Sequence, residues 1–232
     1  TYDLLREEAP VFKDPVTGMF VVTRYDDLRR IALDYENFSN HRYSNDPEMH
    51  TPSQQIAHKL FLAKGWVPGK SLAARDDPDH KQMRSLFDDA FRPKRIAEIE
   101  GDVQKLAYDL IDDFIDDQEC DYVQQYAIPL RLFIICRQMG ARNEDVWQIK
   151  KWTDAWIKGG TIGLDEAGVI WATEMEIQAQ HYFQAIFEKL REQPDNTLLS
   201  DLVNNEVPGW GRTLSDSELH AEMMQDTFVG GS

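Results

Sequence analysis

Apolar and polar positions change period several times in the first eighty residues. Residues 1–9 carry a short helical pattern that Pro10 ends. Val11-Phe12-Lys13 and Met19-Phe20-Val21-Val22-Thr23 then read as two strands, joined through Asp14-Pro15-Val16-Thr17-Gly18, whose Pro and Gly suit a hairpin turn. Asp26 is expected to cap a helix with the apolar stripe Leu28, Ile31, Ala32 and Tyr35. From Asn37 to Asp76 the periodicity weakens, because Pro47, Pro52, Gly65, Pro68 and Gly69 divide a stretch with room for one short helix, Ser53 to Ala63. An irregular stretch this long reads as a substrate loop.

From Pro78 onward the helical period dominates. It predicts helices over 78–91, 95–117, 124–139, 143–158, 167–192, 196–204 and from 216 to the end. Breaks fall at Pro93, the Asp117 to Asp121 turn, Gly140, Gly159-Gly160, Pro194 and Pro208-Gly209. Ser215 and Glu218 stand in capping-box spacing at the head of the last helix. The expected fold class is mainly α with a small β-sheet, in one domain without internal repeats.

Charge narrows the partners. Against 25 basic residues stand 41 acidic ones, a formal charge of -16, which repels nucleic-acid backbones and anionic membrane surfaces. Part of the acid, Asp112, Asp113, Asp116 and Asp117, recurs at helical spacing beside Leu110, Ile111, Phe114 and Ile115 and reads as a solvated helix face. No apolar run approaches the roughly 20 residues that span a bilayer. The expectation is a cytoplasmic protein with neither membrane nor nucleic-acid partners. Cys120 and Cys136 are too few for a disulfide framework, and His41, His50 and His58 are irregularly spaced, so no metal ligands are expected. His181 and His220 read as surface or boundary residues, and Trp147, Trp152, Trp156 and Trp171 as helix-packing aromatics.

One pair carries candidate chemistry. His80 and Arg84 stand four apart at the start of the helix beginning at Pro78, so both project from one face. Two adjacent donors, one a permanent cation, suit a carboxylate or phosphate. Around them, Asp77-Pro78-Asp79-His80, Arg84, Phe87, Ala90-Phe91 and Pro93-Lys94 resemble the third major helix of the bacterial cytochromes P450, haem-thiolate monooxygenases. The resemblance extends through Phe20 to Leu28, Asn37-Phe38-Ser39, Asp121 to Gly140, Trp152 to Trp156, and Tyr182 to Ser200. It covers nearly the whole chain as the amino-terminal portion of that fold, ending within the long central oxygen-activation helix.

The resemblance implies a cofactor, haem (iron protoporphyrin IX), with His80 and Arg84 on its propionates. It also likens Val229-Gly230-Gly231-Ser232 to the start of the oxygen-activation motif, with Gly230 and Gly231 beside the haem. On that reading Val229, Asp226 and Gln225 share the substrate side of the last helix. Asp226 stands where the family is usually apolar and reads either as recognising a polar substrate group or as a solvent-facing or helix-paired residue. The loop residues Trp66, Val67, Leu72 and Ala73 are the second set of expected substrate contacts, and the basic residues Arg92, Lys94 and Arg95 are the expected docking site of a ferredoxin-type redox partner.

The whole enzyme would hydroxylate an apolar small molecule with dioxygen and electrons from NAD(P)H. The motif's acid and Thr would fall past Ser232, and neither Cys120 nor Cys136 resembles the family's thiolate loop, so this chain by itself is expected not to turn over. The residues without the resemblance also admit an all-helical small-molecule-binding or adaptor protein.

Overall fold

The computed structural model describes residues 2–40, 51–160 and 164–227, apart from the side chains of Ala90, Gln225 and Asp226. The chain divides into two compact units, Thr1–His41 and Arg42–Ser232.

The first unit holds α1 (Tyr2–Glu8), β1 (Val11–Lys13), β2 (Phe20–Val22) and α2 (Tyr25–Leu33). The strands pair antiparallel with Val11 opposite Val22, Phe12 opposite Val21 and Lys13 opposite Phe20. The turn closes because Gly18 takes a positive φ of 72° while the Asp14 carboxylate accepts from the Val16 N–H at 2.8 Å. Asp26 does not cap α2. The cap position falls on Arg24, which makes no side-chain cap bond, and Asp26 and Asp27 lie inside the first turn, where their charge meets the positive end of the helix dipole.

Among the described residues the second unit has helices and no strand: α3 (Pro52–Lys64), α4 (Asp79–Ala90), α5 (Pro93–Asp112), α6 (Ile128–Gln138), α7 (Val146–Gly159), α8 (Glu166–Glu192), α9 (Leu198–Asn204) and α10 (Asp216–Ala221), with a π-helical turn continuing α10 through Glu222–Thr227. Helix starts follow local chemistry. Thr51 and Ser215 form capping boxes with Gln54 and Glu218, and Asp165 and Thr197 accept from the backbone N–H of Gly168 and Ser200. α5 stops at Asp112, five residues before its predicted end, because consecutive carboxylates oppose the negative end of the helix dipole and Asp is a poor helix former. Pro129 brings no N–H to the turn before it, and the chain there widens into a π-helical turn over Val123–Ala127.

The core gathers around α8, a helix about 40 Å long by its residue count. Ala179, Phe183, Phe187 and Leu190 of α8 pack with Met83 and Phe87 of α4, Leu132 and Cys136 of α6, Ile149 and Trp152 of α7, Leu199 and Leu202 of α9, and Leu219, Met223 and Met224 at the chain's end. Gly159 lets α7 and α8 cross closely, since a Cβ there would stand 3.0 Å from that of Ala172. The buried hydroxyls of Thr153 and Thr173 donate to the carbonyls of Ile149 and Val169, so the α7/α8 seam buries these polar groups without stranding them.

Two expectations change here. Trp152 and Trp156 pack on the core, but Trp147 and Trp171 are half exposed, with the Lys158 ammonium over the Trp171 ring. His220 is fully buried instead of lying at the surface, because α10 is enclosed by α8 and the loop that follows α3.

Candidate functional site

α4 presents His80 and Arg84 one turn apart. Asp77 just ahead of the helix receives the Lys81 ammonium at 2.6 Å, which holds its carboxyl below the usual carboxylate range. Its other oxygen lies 3.6 Å from His80 Nδ1, beyond hydrogen-bonding distance. The His80 side chain is 39% exposed and that of Arg84 57%. Arg84 Nε donates to Asp88 at 3.1 Å, while its two terminal nitrogens and His80 Nε2 have no hydrogen-bond partner among the described residues. An imidazole nitrogen and a guanidinium fork, adjacent and open, are a donor set that fits a pair of carboxylates.

The loop after α3 is tied down from two sides. The Gln180 side chain of α8 accepts from the Trp66 N–H at 2.9 Å and donates to the Trp66 carbonyl at 2.8 Å. Next to it, His181 Nε2 meets the Lys64 carbonyl at 2.7 Å. The Trp66 indole sits between two imidazoles, with ring centres 5.2 Å from His181 and 4.8 Å from His220. Burial drives His220 down to about 4 against the opposing pull of Asp216, so the ring is neutral, and Nε2 lies 3.0 Å from Gln184 Oε1. Further along, the Gly69 N–H donates to the Ser217 carbonyl, and the Leu72 N–H donates to Glu222.

A polar hub anchors the same loop at its far end. Arg75 and Arg212 both donate to Glu218, and their guanidinium carbons lie 4.7 Å and 4.8 Å from the centre of the Trp210 ring, whose Nε1 donates to Gln82 of α4. Burial would raise Glu218, but Arg212 together with the Ser215 N–H and hydroxyl outweighs it and holds the carboxyl at about 2. Glu176, on the inward face of α8, has the opposite fate: burial alone pushes it up to about 8, and no described residue hydrogen-bonds it.

The structure brings some of the sequence-predicted residues together. The short 3-10 turn Leu72–Ala74 packs against the π-helical turn Glu222–Thr227, so the loop and the last helix, both expected on the substrate side, share a surface. Leu72 packs on the core, Ala73 is exposed, Val67 is partly buried, and the Trp66 ring is held between histidines and anchors the loop. The side chains of Gln225 and Asp226, and Val229, Gly230 and Gly231 altogether, lie outside the described residues.

The basic cluster is less free than its sequence suggests. Arg95 ion-pairs with Asp201 and donates to the Asn196 carbonyl, Arg92 pairs with Asp89, and of the three only Lys94 has no partner among the described residues. Cys136 is buried, its thiol pushed up to about 12, which rules it out as a ready thiolate. Among the described residues no cluster of His, Cys, Asp and Glu could hold a metal ion, and no helix is long and apolar enough to cross a membrane.

The sequence reading missed Gln180, Arg75 and Glu176. For Gln180 and Glu176 the available signal was a polar residue inside the buried stripe Ala172, Thr173, Glu176, Ala179, Gln180, Phe183, but what each would meet was not in the local sequence, and Arg75 carried no such signal.

No protein-family model matches the chain. Cytochrome P450(MEG) of Priestia megaterium is 28% identical over 208 residues, 88% of this chain and 48% of that protein. Putative cytochrome P450 123 of Mycobacterium tuberculosis is 28% identical over 230 residues, 99% of this chain and 53% of that one. Among solved structures, the Bacillus subtilis cytochrome P450 PksS superposes with a TM-score of 0.74 at 25% identity, covering 99% of this chain and 54% of its own, and the ligand-free cytochrome P450 TbtJ1 with 0.75 at 26%, covering 99% and 54%. The chain spans about half the length of the curated relatives it matches. Sequence similarity over nearly the whole chain, and a mainly helical fold with a small antiparallel sheet, both point to a bacterial cytochrome P450-type protein.

Proposed function

We propose that the intact protein is a haem-dependent monooxygenase that hydroxylates an apolar small molecule in the cytoplasm. The observation that carries this reading is the pair of open donors on α4, His80 Nε2 and the Arg84 terminal nitrogens, in a chain of cytochrome P450 type. These two side chains would hold the haem propionates through charge-assisted hydrogen bonds. When bound, haem supplies the activation of dioxygen and the insertion of one oxygen atom into the substrate.

This chain's own part is binding and orientation. The loop through Trp66, Val67, Leu72 and Ala73 would form one part of the substrate side, and Gln225, Asp226 and Val229 would on the family likeness supply the other, where the Asp226 carboxylate would suit a polar substrate group. Gly230 and Gly231, which have no side chain, would on the family likeness leave room for the cofactor. Electrons from NAD(P)H reach the protein through a ferredoxin-type partner that docks near Lys94, flanked by Arg92 and Arg95.

The test is the absorption spectrum of the intact protein, reduced and CO-bound, together with Arg84→Ala and His80→Ala variants. A haem-thiolate Soret band that loses occupancy in both variants supports the reading. An intact protein that takes up no haem overturns it in favour of a helical binding protein.

A further inference from the structure

We infer that Gln180 is a positioning residue for the substrate-facing loop, acting through the peptide groups of Trp66. The inference rests on the proposed substrate role of that loop and adds to it the side chain that fixes its conformation.

One primary amide satisfies both polar backbone groups of one residue, as a neighbouring strand would: Oε1 takes the Trp66 N–H at 2.9 Å, and Nε2 gives to the Trp66 carbonyl at 2.8 Å. The bonds fix which end of the amide is which. The side chain belongs to the middle of a long helix and is only 1% exposed, so it is a rigid post with no freedom to follow the loop. The loop is shaped to receive it. A Cβ on Gly65 would collide with Gln180 Oε1 and stand 3.2 Å from Ile177, so glycine is what allows the Trp66 peptide to reach the amide.

Few residues could replace it. Glutamine carries a donor and an acceptor at the right reach, whereas ionised glutamate carries acceptors alone and would face the Trp66 carbonyl with like charge. Methionine keeps the length but bonds neither group, leaving a partly buried N–H and C=O to find partners elsewhere. The ties on either side, at the Lys64 carbonyl and the Gly69 N–H, would still hold the loop's ends. Loss of the Gln180 bonds therefore moves the segment between them, which includes Val67, while the helical core stays in place. Nothing here touches the reacting atoms, so the effect is on how well a bulky ligand is held.

The experiment uses the haem-loaded intact protein with Gln180→Met, Gln180→Glu and, approaching the clamp from the loop side, Gly65→Ala. Two azoles that ligate haem iron are the probes: imidazole, which needs no pocket wall, and 4-phenylimidazole, whose ring does. Gln180→Met is expected to release 4-phenylimidazole about tenfold faster, the effect of one or two neutral hydrogen bonds, with imidazole changed less than about twofold. Amide hydrogen exchange at Trp66 and Val67 speeds up in the same variants. Gly65→Ala and Gln180→Glu follow in the same direction.

Equal changes for both azoles, or no change in either, overturn the positioning role. So does unchanged exchange at Trp66. A protein that loads no haem at all is a different result: it removes the monooxygenase reading, and this inference falls with it.

Discussion

Arg75 Nη2 and Glu218 Oε1 stand 2.8 Å apart across 143 residues of sequence, with side chains only 7% and 10% exposed. The pair joins the end of the loop that follows α3 to the first turn of α10, and Glu218 at the same time closes the capping box with Ser215 and pairs with Arg212.

Removing the Glu218 side chain therefore strands a buried guanidinium and also loses the bond it accepts from the Ser215 N–H, while the Ser215 side chain still caps α10. Glu218→Ala is expected to cost about 3–5 kcal/mol, the usual penalty for breaking a buried pair from one side. Conserving the cap acceptor alone, as in Glu218→Gln, recovers only part. The native carboxyl is held at about 2, below its unfolded value of 4.5. Its stabilisation is thus fully present above the unfolded value and is lost as pH falls through about 2. Denaturant unfolding of the intact protein between pH 6 and pH 2 checks this, since the variant should lose less stability over that window than the parent.

Glu176 predicts the reverse slope. Its carboxyl titrates at about 8 in the folded chain and near 4.5 in the unfolded one, so below 4.5 both states are protonated and it costs nothing. Between the two values only the unfolded state ionises, and the penalty grows with pH until about 8, where it levels. Glu176→Gln is expected to be neutral at pH 4 and stabilising by on the order of 2–4 kcal/mol at pH 8. Thermal melting of the pair at the two pH values decides it. Equal shifts at both would sink the assignment.

Two glycines should respond in opposite directions to alanine. At Gly159 the new methyl would stand 3.0 Å from the Ala172 Cβ and push α7 off α8, a loss of about 1–3 kcal/mol. At Gly101, inside α5, a Cβ meets nothing within 4 Å, and the helix gains about 1 kcal/mol from the lost unfolded-state freedom. Chemical denaturation midpoints of the two variants should move apart from the parent's on opposite sides.

Lys94 and Arg95 are adjacent in sequence but expected to behave differently. Arg95→Ala removes the tie between α5 and α9 and should lower stability by about 1–3 kcal/mol, the loss for a partly buried charge-assisted bond. Lys94→Glu breaks no described contact and should leave the melting temperature unchanged while slowing reduction by a ferredoxin-type partner, most strongly at low salt. Stopped-flow reduction at two ionic strengths, beside a melting curve, distinguishes them.

How much of this was legible in advance varies with the range of the interaction. The hairpin followed from Pro15, Gly18 and the alternating strands around them, and α10 from the Ser215 to Glu218 spacing, because each is set by residues within a turn of one another. Periodicity overstates α5 because it continues past Asp112 after the electrostatics have turned against the helix. His220 looked like a boundary residue because its burial depends on Trp66 and Phe187, neither of them near it in sequence.

The sequence by itself determined the helix and strand order and the pair His80 and Arg84 on one helix face, since these depend on periodicity, caps and spacing along the chain, and it carried the family likeness in the residues of its matching segments. The tertiary structure alone decided that Gln180 would hold the Trp66 peptide, that Arg75 would be buried against Glu218, and that Arg95 would be spent on Asp201. Those contacts join residues 106 to 143 positions apart, or 114 in the case of Gln180 and Trp66, and a hydrogen bond is specified by where its two groups meet in space, which packing of the helices around α8 settles.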